Sequence, residues 1–350
     1  MNIRIVTSVV MLWTLMVGVQ AQENITDSIK SDTIEGQKAH KESIGKRLDN
    51  KLANRYFDSS YDSSYVVRPK ERWLLKPSLN QTGTSIHAKG TVNDVWSKYH
   101  LRTKYQTTVS MEVDYCDIAL ALSLNPAKMH GDYNDYEFTF EYHGNKFSFD
   151  LDYQRASSLT GDINYDNIDH LDEDGLNMKV FSLTAYFIFN NKRFSFPAAF
   201  YQNYYQLRSA GSWLAGLNFQ SGSVRTTDEL KARTPEAPEV HITAAHLGIG
   251  GGYGYNLVLG KKSQWLLHFS MMPTVVVYNH NRLTVNGERQ GAKPMRLNMI
   301  FNERAAVVYH FSPKYFAGAS LMMSNSIFHD NSVVVNQNKW LARAFVGIRL

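Results

Sequence analysis

"YEFTFEYHGNKFSFDLDY" runs from Tyr136 to Tyr153, and its reading decides the fold. Tyr136, Phe138, Phe140 and Tyr142 alternate with Glu137, Thr139 and Glu141, and Asp135 extends the polar set. After His143-Gly144-Asn145, Phe147, Phe149, Leu151 and Tyr153 alternate with Lys146, Ser148, Asp150, Asp152 and Gln154. A helix would mix the two sets; only a period of two separates them. The pattern predicts two antiparallel strands joined by a tight turn in which Gly144 takes positive φ.

The same period recurs along the chain. Tyr99, Leu101, Tyr105, Val109, Met111, Val113 and Tyr115 share one face, against His100, Arg102, Lys104, Gln106, Thr108, Ser110, Glu112 and Asp114. At ~3.3 Å per residue such a strand is longer than a bilayer core needs. Phe181, Leu183, Ala185, Phe187 and Phe189 precede a turn at Asn190–Lys192. Trp265, Leu267, Phe269 and Met271 follow "GKKS". The chain ends with Trp340, Ala342, Ala344, Val346, Ile348 and Leu350 on one face, opposite Lys339, Arg343 and Arg349.

Two architectures alternate in this way. A soluble sandwich buries its apolar face, whereas a membrane barrel turns that face to lipid and lines its lumen with the polar one. Composition favours the barrel. Hydrophobic residues are 43% and mean hydropathy is only −0.34, yet aromatics reach 13%, with 20 tyrosines. Such a blend suits a polar lumen with aromatic girdles. No later segment offers the ~20 apolar residues of a spanning helix. The +5 charge is scattered, so no nucleic-acid stripe is expected. The lone Cys116 excludes an intramolecular disulfide.

Residues 1–21 read as a secretory signal: Arg4, an apolar run from Ile5 to Val19, and the small-x-small site Val19-Gln20-Ala21. Residues 22–66 read as a polar leader, flexible or a short helix, and residues 67–350 as the barrel. Outer-membrane localisation in a Gram-negative bacterium follows, with lipid around the wall and a small solute or another envelope component as the further partner.

Tight turns near Cys116, Gly144, Asn191, Gly260 and Pro313 alternate with longer loops near Gly90, Gly131, Asp166, Arg225 to Val240, Asn286 and Asn331. An even count of about twelve strands requires the long segment Arg193 to Val224 to cross only once. Its phase also slips: Phe194, Phe196, Ala198 and Phe200 are even-numbered, and Trp213, Ala215, Leu217 and Phe219 odd. The expectation is a strand over Phe194 to Phe200, an excursion into the lumen over Tyr201 to Ser212, and a strand resuming at Trp213. The lumen insert then comprises Tyr201, Gln202, Tyr204, Tyr205, Gln206, Arg208, Ser209 and Ser212.

"NNKRFSFPAAFYQNYYQLRSAGSWLAGLNF", with upstream "VDYCDIALALSL" and downstream "GGYGYNLVL", resembles an exported Gram-negative family known as domain of unknown function forty-four twenty-one. The likeness covers Tyr56 to Leu350 and departs at Pro197, where a longer polar or basic residue is commoner. It implies a barrel-like fold and lends no activity or catalytic residue.

The expected lumen face carries Arg102, Lys104, Glu112, Asp135, Glu137, Glu141, Asp150, Asp152, Arg304 and Arg343, beside His100, Asp114 and Arg296. Opposite charges in a narrow barrel should pair. That is the face of a selective pore, a binding cavity or a salt-bridged plug. A hydrolase acting on lipid or acylated envelope material is the alternative, with Ser209 or Ser212 beside His241 or His246, although no G-x-S-x-G elbow occurs. A soluble periplasmic partner-binding protein is the third reading. "HLGIGGGYGY" fails the dinucleotide pattern at Tyr253, and its even-numbered glycines read as an inner stripe that makes room for bulky groups. The loop Asp162 to Gly175 has His170 where a calcium loop needs its first carboxylate. No catalytic residue, metal site or cofactor is assigned.

Overall fold

The computed structural model describes residues 44–57, 60–92, 95–116, 118–131, 135–165, 168–289, 298–330 and 333–350. The expected signal, most of the leader and Arg296 lie outside them. Ile44–Phe57 form helix α1, and Lys51–Leu350 belong to one structural unit.

Strands β1 (Val66–Val67), β2 (Trp73–Val92), β3 (Val95–Arg102), β4 (Gln106–Tyr115) and β5 (Ile118–Leu124) lead to a short helix α2 (Pro126–His130). Then come β6 (Tyr136–His143), β7 (Phe147–Ala156), β8 (Thr160–Tyr165), β9 (Ile168–Leu171) and β10 (Leu176–Ile188). Helix α3 (Phe196–Phe200) and β11 (Tyr205–Gln206) precede β12 (Ala210–Thr226), helix α4 (Asp228–Arg233), β13 (Val240–Leu259) and β14 (Trp265–Val285). A two-residue β15 (Glu288–Arg289), β16 (Met299–His310), β17 (Tyr315–Asp330) and β18 (Val333–Arg349) complete the chain.

One antiparallel sheet runs from β6 through β7, β10, β12, β13, β14, β16, β17 and β18 to β2. There β3 and β4 pair with successive halves of the same β2 edge, so they form one interrupted crossing. Counted so, twelve strands cross the wall among the described residues, with β8 and β9 as an added hairpin on β3. The sheet curls until the inner face of β6 and β7 meets that of β16, β18 and β2, as the Thr82–Glu137 and Lys339–Glu137 contacts of 2.8 Å each and the Arg304–Asp150 pair record. Among the described residues no ladder joins β5 to β6. Trp73 and Leu350 exchange backbone hydrogen bonds of 3.0 and 2.9 Å, placing the start and end of the wall at one rim.

Polar and apolar faces are inverted relative to a water-soluble sheet. Lys76 and Arg349 are 0% and 1% exposed, while Leu120, Trp213 and Phe269 are 72%, 68% and 59% exposed. The inner face has three zones. At the rim of the tight turns, Phe194, Phe196 and Phe200 pack with Ile188, Leu266 and Phe316. At the other rim, Leu101, Leu159, Leu171 and Met178 cluster. Strand β7, descending from Ala156 to Ser148, carries Asp152 and Asp150 between these zones.

Two local expectations change. The crossing through Tyr99 breaks at Thr103–Tyr105, so its phase turns over: Leu101 is buried and Arg102 exposed above the break, while Val109 and Met111 are exposed below it. Gly144 is not among the left-handed glycines. It serves close approach instead, because a Cβ there would stand 2.9 Å from the Phe147 carbonyl oxygen.

Candidate functional site

The wall closes across the excursion. Ile188 pairs with Leu214, so residues 189–209 leave the sheet between β10 and β12. Phe194–Phe200 are therefore not a wall strand. Ser195 caps helix α3 by accepting from Ala198 N at 3.2 Å, and Pro197 sits in its first turn. Every residue of this helix is buried. The strand resumes at Ala210, so Ser212 belongs to the wall opposite Gly254.

The insert is a plug held on several sides. Lys76 Nζ donates to the Phe200 carbonyl oxygen at 3.2 Å and to Gln202 Oε1 at 3.3 Å, and pairs with Glu112 at 2.9 Å. Arg349 donates to the Gln202 carbonyl oxygen at 2.6 Å and to the Tyr205 hydroxyl at 2.6 Å. Gln202 is left-handed, at φ 61°, and turns the chain at this grip. The Tyr201 hydroxyl donates to the Glu141 carbonyl oxygen at 2.6 Å. Burial, then the nearby Glu141 and Glu112 charges, raises the Tyr201 phenol far above its ordinary value. Gln206 accepts from Ser195 N at 3.1 Å and donates to the Arg193 and Arg208 carbonyl oxygens at 2.6 and 2.9 Å.

A segment from before the wall covers the plug from the rim. Val66 and Val67 pair with Gln206 and Tyr205. Arg68 lies 4.1 Å over the Tyr204 ring, whose centroid is 5.0 Å from that of Tyr61. Arg208 lies 5.8 Å over Tyr65. Asp62 pairs with Arg193 at 3.4 Å, and its carboxyl is held below the usual range, chiefly by hydrogen bonds from Ser64.

Above the plug, charges pair across the lumen. Lys339 bridges Glu137 at 2.8 Å and also contacts Asp152. Arg343 pairs with Glu141 at 3.3 Å, and Arg304 with Asp150. Buried charges need such partners. Four of the residues expected in the lumen stand elsewhere, among them His100, which is exposed and stacks on His87 with ring centroids 4.1 Å apart. Arg102 is exposed, Lys104 pairs with Glu173 at 2.8 Å, and Asp135 accepts from Ser157 N and Ser158 N at 2.7 and 3.1 Å, binding a loop.

Ser209 Oγ accepts from Val258 N at 2.9 Å, and Ser212 Oγ accepts from Asn190 N at 2.9 Å. His246 bonds Asn281 at 3.0 Å, twelve residues along β13 from Val258, or about 40 Å in extended chain. His241 is farther still. Neither serine has the base that the hydrolase reading gave it. Sequence reasoning missed Lys76 and Arg349 as plug holders, and Asn256, His268 and Ser270 as a buried relay. The hairpin centred on Lys262 was the available signal, because it sets Asn256 opposite His268.

The sequence model of a domain of unknown function, DUF4421, matches residues 60–349. The chain belongs to this family. The span of the DUF4421 match takes in the covering segment, the plug and the whole wall. No curated protein matches the sequence. Among solved structures, the outer-membrane protease OmpT from Escherichia coli is 8% identical, with 83% of this chain and 100% of that one covered and a TM-score of 0.34. The translocator domain of autotransporter NalP from Neisseria meningitidis is 9% identical, covering 87% and 94%, with a TM-score of 0.33. The outer-membrane protein OprG from Pseudomonas aeruginosa is 8% identical, covering 81% and 97%, with a TM-score of 0.27.

Proposed function

We propose that this DUF4421 protein is an outer-membrane β-barrel that is closed at rest by its own inserted segment. The observation that carries the membrane reading is the inversion of burial: Lys76, Arg304 and Arg349 are inside, and Leu120, Trp213 and Phe269 outside. Exposing such a belt to water is costly at about 25 cal/mol per Å² of apolar surface, and lipid removes the cost. Lipid is thus the wall's partner. Export follows from the signal read in residues 1–21, and the tight-turn rim, with its plug, faces the periplasm.

The lumen supports closure. Helix α3 fills one end, and the pairs Lys339–Glu137, Arg343–Glu141 and Arg304–Asp150 span the middle. Opening requires the plug to move and these pairs to be rearranged, so the role is that of a gated or ligand-binding barrel for a small solute or envelope component. Fractionation of the producing cell tests the placement. The chain is expected in the outer membrane, with gel mobility that changes on boiling; recovery as a water-soluble monomer contradicts the reading.

A further inference from the structure

A second chemistry lies beneath the plug. His268 Nε2 is 3.0 Å from Ser270 Oγ, and His268 Nδ1 is 2.7 Å from Asn256 Oδ1. All three side chains are buried, on the inner faces of the adjacent strands β13 and β14. The hydrogen bonds define the tautomer. Asn256 Nδ2 donates to the Ser195 carbonyl oxygen at 2.9 Å and to Gln206 Oε1 at 3.0 Å, so its Oδ1 faces the imidazole as an acceptor. His268 Nδ1 must then carry the proton, leaving the Nε2 lone pair to accept from the Ser270 hydroxyl. That is the ground-state polarity of a nucleophile, a base and an orienting group.

We propose that Ser270, His268 and Asn256 form an acyl-transfer site that the plug occludes, and that its substrate is a fatty-acyl ester. The occluding groups indicate the substrate. Phe194, Phe196 and Phe200 stand 5.8, 5.1 and 5.1 Å from the His268 ring, centroid to centroid. A Cβ on Gly254 would lie 2.9 Å from Phe194 Cζ and 3.2 Å from Ser270 Cβ, so the Phe194 ring fills the space beside the nucleophile. Phenylalanine rings occupy apolar volume that an acyl chain would take when the plug moves. Arg304 lies directly opposite Ser270 in the β14–β16 ladder, with its guanidinium on Asp150 and Tyr186 while the plug is in place. At the next inward position of β16, Asn302 carries a buried Nδ2 with no partner among the described residues.

In the reaction, Ser270 Oγ bonds to the ester carbonyl carbon as its proton passes to His268 Nε2. The carbon–oxygen bond to the alcohol then breaks, and the imidazolium returns the proton to the leaving oxygen. Water attacks the acyl-serine through the same base, releasing the fatty acid and restoring the hydroxyl. Asn302 stabilises the intermediate oxyanion, joined by Arg304 once its pair with Asp150 is rearranged as the plug moves.

The test uses the purified full chain in detergent micelles and an alkyl fluorophosphonate, which phosphonylates an activated serine with loss of fluoride. Intact mass and peptide mapping locate the adduct. Overnight incubation of the wild type is expected to label Ser270, Phe194→Ala and Phe200→Ala to label faster, and Ser270→Ala not at all. His268→Gln is expected to slow labelling by roughly a hundredfold, the scale of a lost general base. Absence of a Ser270 adduct in the wild type and in every folded plug variant overturns the proposal, as does an adduct whose rate is unchanged in His268→Gln. If neither plug variant folds, the overnight wild-type result decides.

Discussion

Lys76 holds Phe200: its buried ammonium donates to the carbonyl oxygen that ends helix α3, at 3.2 Å, while pairing with Glu112 at 2.9 Å. A wall strand thereby grips the plug through one cation. Lys76→Met leaves the Glu112 carboxylate buried without its cation, a change that costs about 3–5 kcal/mol. The expected outcome is a lower urea midpoint for the folded band in unboiled gels. Lys76→Met combined with Glu112→Met should recover much of that loss, because no charge remains uncompensated.

Lys339 stands between Glu137 and Asp152 and contacts both. Lys339→Met would leave two carboxylates together in the lumen, so it is expected to be destabilising by at least as much as Lys76→Met. Lys339→Arg retains the charge and should cost less. The order wild type, Lys339→Arg, Lys339→Met in urea midpoint checks this.

The outer belt makes a spectroscopic prediction. Trp213 and Trp265 are exposed on the wall, 68% and 44% respectively. In vesicles whose acyl chains are brominated, their fluorescence should be quenched strongly. Trp213→Phe should remove a quenchable fraction without lowering the unfolding free energy by more than ~1.5 kcal/mol, as expected for an apolar swap. Emission insensitive to bromine would place these side chains away from lipid.

Asp62 gives the covering segment an acid dependence. Hydrogen bonds from Ser64, and then the Arg193 charge, hold its carboxyl below the ordinary value. A depressed folded-state value contributes docking above the unfolded value near 4 and loses it as pH falls through the folded one. Protease cleavage within residues 60–68, by an enzyme active from acid to neutral pH, should therefore increase at low pH. Asp62→Asn should cleave readily at neutral pH and show a smaller acid response.

The alternation in Tyr136–Tyr153 made the wall legible, and turn spacing set twelve crossings, because a period of two and an even parity leave few alternatives. The plug was harder to read. Phe194, Phe196 and Phe200 share the parity of a half-buried strand, yet these residues are buried on every side, and full burial erases periodicity. Ser195 and Pro197 were the competing signal, since a capping serine followed by proline in the first turn starts a helix. Contacts across the lumen, such as Arg304–Asp150, depend on the curl of the sheet, and no spacing along the chain encodes that curl.

Conductance across a planar bilayer tests closure most directly. Purified wild-type chain inserted from detergent should be electrically silent, because helix α3 and the ion pairs above it fill the lumen. A variant whose residues 190–209 are replaced by a short turn should conduct in discrete steps. Sustained wild-type conductance of the same size as that variant's would contradict the account.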